Sequence, residues 1–209
     1  MSKELEMSKE VVRMLEEKED KQVVDAPDDG GKVNLSTLNP GEVFKIGEHD
    51  FIVLEQKNGE TVVISKGLMI EDVPFDKESR DYRKSSLKER IEREIQPIIE
   101  AAVGAENIVE HEVDLTSVDG QTEFGTCICK VRVVNFDEAR KYNSLIADKL
   151  LPDWWWTCTP WSTEERGWNH SIAVVSPSGI VINNYFNNCS GVRPFCILKS
   201  NIFVSRGEN

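Results

Sequence analysis

Five tryptophans lie between Trp154 and Trp168 in the stretch DWWWTCTPWSTEERGWNH, together with Cys158 and His170. Loop aromatics flanked by Thr, Ser, Glu, Arg and Asn are contacts for a sugar ring or a partner protein, which makes Trp154, Trp161 and Trp168 candidates for binding. A thiol with an imidazole close in sequence is a candidate nucleophile pair, but no third residue at suitable spacing orients His170 toward Cys158. The five cysteines, Cys127, Cys129, Cys158, Cys189 and Cys196, and three histidines, His49, His111 and His170, lack the paired spacing of a zinc framework. Buried free thiols are expected, with a Cys158–Cys189 or Cys189–Cys196 bridge open only in an oxidising compartment.

A second polar run, INNYFNN at 182–188, precedes Cys189 and Ser190. Tyr and Asn are adaptable hydrogen-bonding contacts of the kind antibody-type paratopes use, and a solvated hairpin end is the alternative. One recognition face is expected from loop 157–170 and hairpin 183–190, through Trp161, Arg166, Trp168, Asn169, Asn184, Tyr185 and Asn187. No catalytic residue, metal ligand or cofactor is expected. The net charge of −12 disfavours direct nucleic-acid binding, because a duplex is itself a dense line of negative charge. The first thirty residues carry ten acids against five bases, so an acidic inhibitor of a basic nucleic-acid-binding surface is a second class of function. No apolar run approaches the length of a membrane span, and MSKELEMSKE has no apolar signal core, so a cytoplasmic protein is the expectation.

The elements that must hold these residues follow an α+β order. Residues 1–24 read as a short helix with a thin apolar stripe of Leu5, Val12 and Leu15, suited to docking or self-association. DAPDDGGK at 25–32 reads as a linker and 33–206 as the main domain. Strands are expected at 42–55, broken at Gly47, and at 60–66. They are joined at Asn58-Gly59, because both central residues of a type I′ turn need positive φ. A helix over 85–103 puts Leu87, Ile91, Ile95 and Ile98 on one face, with Ser85 or Ser86 capping it and Pro97 kinking or ending its first part. Strands at about 108–115 and 125–134, a short helix at 136–143, and strands at 171–176, 180–186 and 191–198 follow, with NIFVS closing the sheet.

WWWTCTP at 154–160, AVVSPSG at 173–179 and GVRPFCIL at 191–198 together resemble an uncharacterised bacterial and phage domain family with WWLRSP and GVRPAL hallmarks. The opening hairpin at 46–66, SSLKERI at 85–91 and VRVVNFDEARKY at 131–142 agree, so the resemblance covers roughly residues 33–206. Trp155, Trp156, Pro160, Gly191, Val192, Arg193 and Pro194 match the hallmark, whereas Thr157, Cys158 and Thr159 stand where the family has Leu-Arg-Ser. The resemblance implies a C-type-lectin-like fold, related to formylglycine-generating enzymes and to hypervariable ligand-binding proteins. Trp155, Trp156 and Arg193 are expected to be structural, with the guanidinium clamped by carbonyls. Trp168-Asn169-His170 is similar to the WND element of calcium-dependent lectins without its acid, and EPN and QPD are absent, so calcium-dependent sugar binding is not expected. The resemblance therefore implies a non-enzymatic recognition module for a protein partner, with carbohydrate second, in the version of a phage-encoded protein acting on a host factor. Formylglycine-generating relatives supply a third class, in which Cys158, Cys189 and Cys196 bind Cu(I) as thiolates.

Overall fold

The computed structural model describes residues 31–207. The expected N-terminal helix with Leu5, Val12 and Leu15, and all of the 25–32 linker but its last two residues, lie outside the described residues. The chain divides between Lys32 and Val33 into two units. The second unit is a mixed α+β fold with several largely antiparallel sheets and few helices.

Two sheets carry most of the strands. The larger orders β1 (Lys32–Asn34), β14 (Phe203–Arg206), β2 (Val43–Ile46), β3 (His49–Lys57), β4 (Glu60–Ser65), β13 (Phe195–Lys199) and β8 (Val131–Arg132). The smaller orders β11 (Val181–Tyr185), β10 (Ser171–Val175), β9 (Trp155–Pro160), β12 (Cys189–Val192) and β5 (Ile70–Pro74). In the smaller one β12 runs parallel to β9, with Gly191 opposite Trp155. A separate hairpin pairs β6 (His111–Asp114) with β7 (Thr126–Cys129).

Asn58 and Gly59 have φ of 54° and 79°, and they join β3 to β4 with Lys57 opposite Glu60. That is the left-handed geometry an Asn-Gly hairpin turn needs. The break at Gly47 is more than an interruption of one strand. With φ of 59°, Gly47 reverses the chain, and β2 folds back on β3 with Ile46 opposite His49.

Helix α1 is built from Ser86–Arg90, a π-helical turn Ile91–Ile95 and Gln96–Val103. Ser85 caps it by accepting from the Lys88 amide at 3.1 Å. Its buried face is Leu87, Ile91, Ile95 and Ile99, whereas Ile98, assigned to that face by the sequence pattern, is exposed. Four residues advance an α-helix by about 400°, so three such steps would carry a regular helix about 120° off the core. The wider π turn absorbs that drift. It also accommodates Pro97, because the ladder has already shifted one residue before it, with the Gln96 amide bonded to Ile91.

Period-two alternation splits the strands between two cores. Phe44, Phe51 and Val63 face the core beneath α1, while Val43, Ile52 and Ile64 face a second core under α2 (Phe136–Lys141) and α3 (Asn143–Ile146). The adjacent Trp155 and Trp156 divide likewise: Trp156 enters the first core and Trp155 the second, both fully buried. Every residue of β9 and β10 is buried, because this layer is covered on both faces.

Two arginines are built into this interior. Arg132 donates through Nη1 and Nη2 to the two Glu138 oxygens, each at 2.6 Å, and through Nε to His111 Nε2 at 2.8 Å. Its guanidinium also lies 4.2 Å from the centre of the Phe195 ring. Burial works against the charge, but Glu138 outweighs it and holds the Arg132 pKa above its ordinary value. His111, desolvated and facing that cation, has its pKa lowered and accepts the hydrogen bond as neutral imidazole. Glu138 simultaneously closes the capping box of α2 with Asn135. Replacing Glu138 with Gln leaves a buried cation unmatched and is expected to cost about 3 kcal/mol of stability, read as a lower urea midpoint at unchanged slope.

Candidate functional site

Loop 161–170 follows β9 and is held from several sides. The Trp161 amide donates to the Ser171 carbonyl at 2.9 Å, and the Glu164–Gly167 turn closes at 2.8 Å with Gly167 at φ of 74°. The Trp168 amide reaches the Thr163 carbonyl at 3.2 Å. Beneath the loop, Arg80 is nearly buried, donates to the Ser162 carbonyl and reaches the Trp168 carbonyl at 3.5 Å. Desolvation lowers the Arg80 pKa, and Glu123 and Glu164 oppose that shift. Asp119 accepts from Ser117 at 2.5 Å and from Ser162 at 2.6 Å, and these two hydrogen bonds hold its carboxyl below the usual range.

The result is a rigid mount for one aromatic. Trp168 is 49% exposed, whereas Trp154 and Trp161 are half-buried and Trp154 packs against the larger core. Of the three tryptophans assigned to binding by their loop setting, only Trp168 presents its ring prominently. Arg166 is exposed, and with the Gln121 amide oxygen turned toward it donates from Nη2 at 2.7 Å and Nε at 3.0 Å. A groove of about 440 Å³ beside the loop is lined by Gln121, Glu123, Thr163, Glu164 and Glu165.

Hairpin β10–β11 adjoins the loop. The Phe186 amide donates to the His170 carbonyl at 2.9 Å, and the His170 and Tyr185 ring centres are 6.2 Å apart. Loop and hairpin therefore border one surface, bearing Trp168, Asn169, His170, exposed Tyr185 and exposed Asn187. Asn184 does not join Tyr185 on it, because neighbours on a strand point to opposite faces. Asn184 stands opposite Ile172, on the side of the larger core, and is bonded to Ser190 at 3.3 Å and Asn188 at 2.8 Å.

Trp155, Trp156, Pro160, Gly191, Arg193 and Pro194 lie inside. Arg193 is fully buried, donates to the carbonyls of Ser65 at 3.0 Å and Ile146 at 2.6 Å, and lies 5.0 Å from the centre of a Trp155 ring. Burial without a close carboxylate lowers its pKa to about 10. The Trp156 Nε1 donates to the Val73 carbonyl at 2.8 Å. A Cβ on Gly191 would come within 2.4 Å of the Leu68 side chain, so any larger residue there would have to push Leu68 aside. Pro160 ends β9, and the Pro194 carbonyl receives the Ser65 amide at 2.9 Å. Thr157 donates to Ala173 at 2.7 Å, and Thr159 accepts from the Phe136 amide at 2.8 Å.

All five cysteines are free. Cys158 and Cys196 are fully buried, and desolvation pushes the Cys196 thiol to about 12 and Cys158 higher still. Cys189 is exposed on β12, where it senses Asp72 and Asp153. The Cys158–Cys189 pairing thus sets a core thiol against a surface one, and His170, exposed beside Tyr185, stands apart from the buried Cys158. Among the described residues no set of three or more His, Cys, Asp or Glu side chains is placed to hold a metal ion.

Fold and site together define a mixed α+β protein whose most exposed tryptophan sits on a braced loop. No protein-family model, curated protein or solved structure matches the chain. Among the described residues no helix is long and apolar enough to cross a membrane. Sequence reasoning missed Arg80 and Asp119, which brace the loop from distant segments. Neither carries a local signal, since each is one charged residue among many in a polar stretch.

Two outcomes test the brace. Arg80→Ala is expected to cost about 2 kcal/mol, the loss of hydrogen bonds from a charged donor, and to raise amide exchange selectively across residues 162–168. Asp119 has a folded pKa below its unfolded value of about 3.9, so its contribution is complete above that value and lost as pH falls through the folded pKa. Protection of the same amides should therefore drop on acidification in that window, and Asp119→Asn should remove the pH dependence.

Proposed function

We propose that this chain is a recognition module of C-type-lectin-like fold that binds a protein partner through loop 161–170 and the adjoining end of the β10–β11 hairpin. The observation that carries this reading is the exposure of Trp168 on backbone fixed by Arg80 and Thr163. A large side chain held ready loses little freedom on binding, which is the usual basis of an aromatic hot spot. Asn169, Tyr185, Asn187 and Arg166 supply hydrogen-bonding groups around it, and half-buried Trp161 lies at the base of the loop. The resemblance to phage and bacterial domains supports the version in which a phage-encoded protein engages a host factor inside the bacterial cytoplasm. No residue in this reading acts as a catalyst, and a carbohydrate ligand is the less supported alternative.

A second reading has one observation in its favour: Glu123, Glu164 and Glu165 line the groove beside the loop. A basic surface, such as that of a nucleic-acid-binding protein, would fit there by charge.

A photo-crosslinking residue at position 168 is expected to trap one discrete protein from extract of the source cells, while the same residue at exposed Ile128 traps none. Equal labelling at both positions, or none at either, removes the reading. With the trapped protein purified, Trp168→Ala should weaken binding about thirtyfold, the equivalent of about 2 kcal/mol, with little dependence on salt. Steep salt dependence with a harmless Trp168→Ala would make charge the driver instead.

A further inference from the structure

β11 is an edge strand whose outward backbone can be deduced from its inward bonds. Ser176 donates to the Ile180 carbonyl at 2.8 Å, and Phe186 donates to the His170 carbonyl at 2.9 Å. In an antiparallel ladder the hydrogen-bonded pairs recur every second residue, so Ile180, Ile182, Asn184 and Phe186 turn their backbone groups toward β10. Val181, Asn183 and Tyr185 turn theirs outward. Among the described residues the backbone groups of Val181 and Asn183 meet no partner there, and the Tyr185 carbonyl receives only Asn188, in the turn beyond.

Edges of this kind are normally blunted by charge, proline, a bulge or shortness. The other sheet edges follow that rule. β1 is three residues long and begins at Lys32, and β8 is only two residues long. β5 carries Glu71, Asp72 at positive φ and Pro74. β6 carries Glu112 and Asp114, and β7 is four residues running into Lys130. β11 has none of these devices. From Ser171 to Val192 there is no Asp, Glu, Lys or Arg, in a chain that is 30% charged. Ile180, Ile182 and Tyr185 stand exposed along it.

We propose that β11 is the interface of a homodimer, pairing antiparallel with β11 of a second copy about a two-fold axis at Asn183. The sequence IVINNYF fits its own reverse around that residue. Ile180 falls opposite Phe186 and Val181 opposite Tyr185, so apolar and aromatic side chains meet at both ends of the pair, while Ile182 falls opposite Asn184 on either side of the central Asn183. Val against Tyr is a favourable cross-strand combination. The outward groups of Val181, Asn183 and Tyr185 complete one another's ladder, and the two five-stranded sheets become one continuous sheet. Absence of charge over this segment lets two copies of a chain of net charge −12 approach without like charges facing each other. Trp168, Arg166, Asn169 and Asn187 lie outside the paired stretch 180–186, and Tyr185 is the one residue this interface shares with the partner-binding surface.

Sedimentation velocity of the full chain, from micromolar to near-millimolar concentration, is expected to show a reversible monomer–dimer equilibrium. Asn183→Pro removes an outward N–H, a position at which an edge strand tolerates proline, together with the bond from Asn183 Nδ2 to Ser171 Oγ at 3.2 Å. It should raise the dimer dissociation constant at least about tenfold, while the monomer still unfolds cooperatively with its midpoint lowered only by the loss of that bond. Ile182→Lys adds the missing charge at an already exposed site and should do the same, which keeps the test decisive if the proline variant misfolds. For register, Asn183→Cys in a Cys189→Ser background should give an oxidised cross-linked dimer, and Tyr185→Cys in that background should not. A monomer at every concentration overturns the proposal, as does a dimer indifferent to both Asn183→Pro and Ile182→Lys. Trp168→Ala is expected to leave self-association unchanged, so failure of the dimer and failure of the Trp168 surface are separate results.

Discussion

Arg132 is a cation buried in the interior, and its neighbours are arranged around that fact. The Glu138 carboxylate matches it through two parallel hydrogen bonds, the geometry that best repays desolvation of both ions. That match fixes α2 against β8, while the bond to His111 ties in the β6–β7 hairpin and the Phe195 ring closes the cation from the β13 side. Four elements meet at one charge, three of them successive in the chain and the fourth, β13, more than sixty residues beyond Arg132. Any of them moving away would strand the cation, so the node enforces their relative placement more strictly than apolar contact would.

Arg193 solves a similar problem by other means. It has carbonyls and an indole face rather than a carboxylate, and its pKa falls toward 10 in consequence. It joins the end of β4 to the end of α3 across the core that Trp155 fills. With both arginines and both buried tryptophans committed to the interior, the surface chemistry passes to the loop beyond β9 and to the uncharged strand at the sheet edge. The cluster of five tryptophans is therefore two populations: a pair dividing between two cores, and a graded series in which only Trp168 faces outward.

Much of the fold was legible because it rests on short-range rules. Asn58-Gly59 forces a reversal by its φ values, and the apolar runs of the last third are strands bounded by Pro, Gly and Asn. Errors arose where a local pattern underdetermines a long-range outcome. Ile98 and Ile99 are equally apolar, and only the π turn decides which of them is buried. Gly47 marks a change of direction, but nothing local distinguishes a kink from a hairpin until β2 and β3 have something to pack on. In the candidate site, Trp168 and the neighbourhood of loop and hairpin were readable. Arg80, Asp119 and the separation of Asn184 from Tyr185 were not, because each depends on which distant backbone lies alongside.

By itself the sequence determined the mixed α+β order, the positions of most strands and turns, and the acidic character of a chain whose segment 171–192 is free of charge. Tertiary structure alone decided which tryptophan is presented, which thiols are sealed in the core, and which strand is left at an edge. The reason is physical. Turn geometry and alternation act over a few residues and are written locally, whereas burial and edge exposure are properties of the assembled layers.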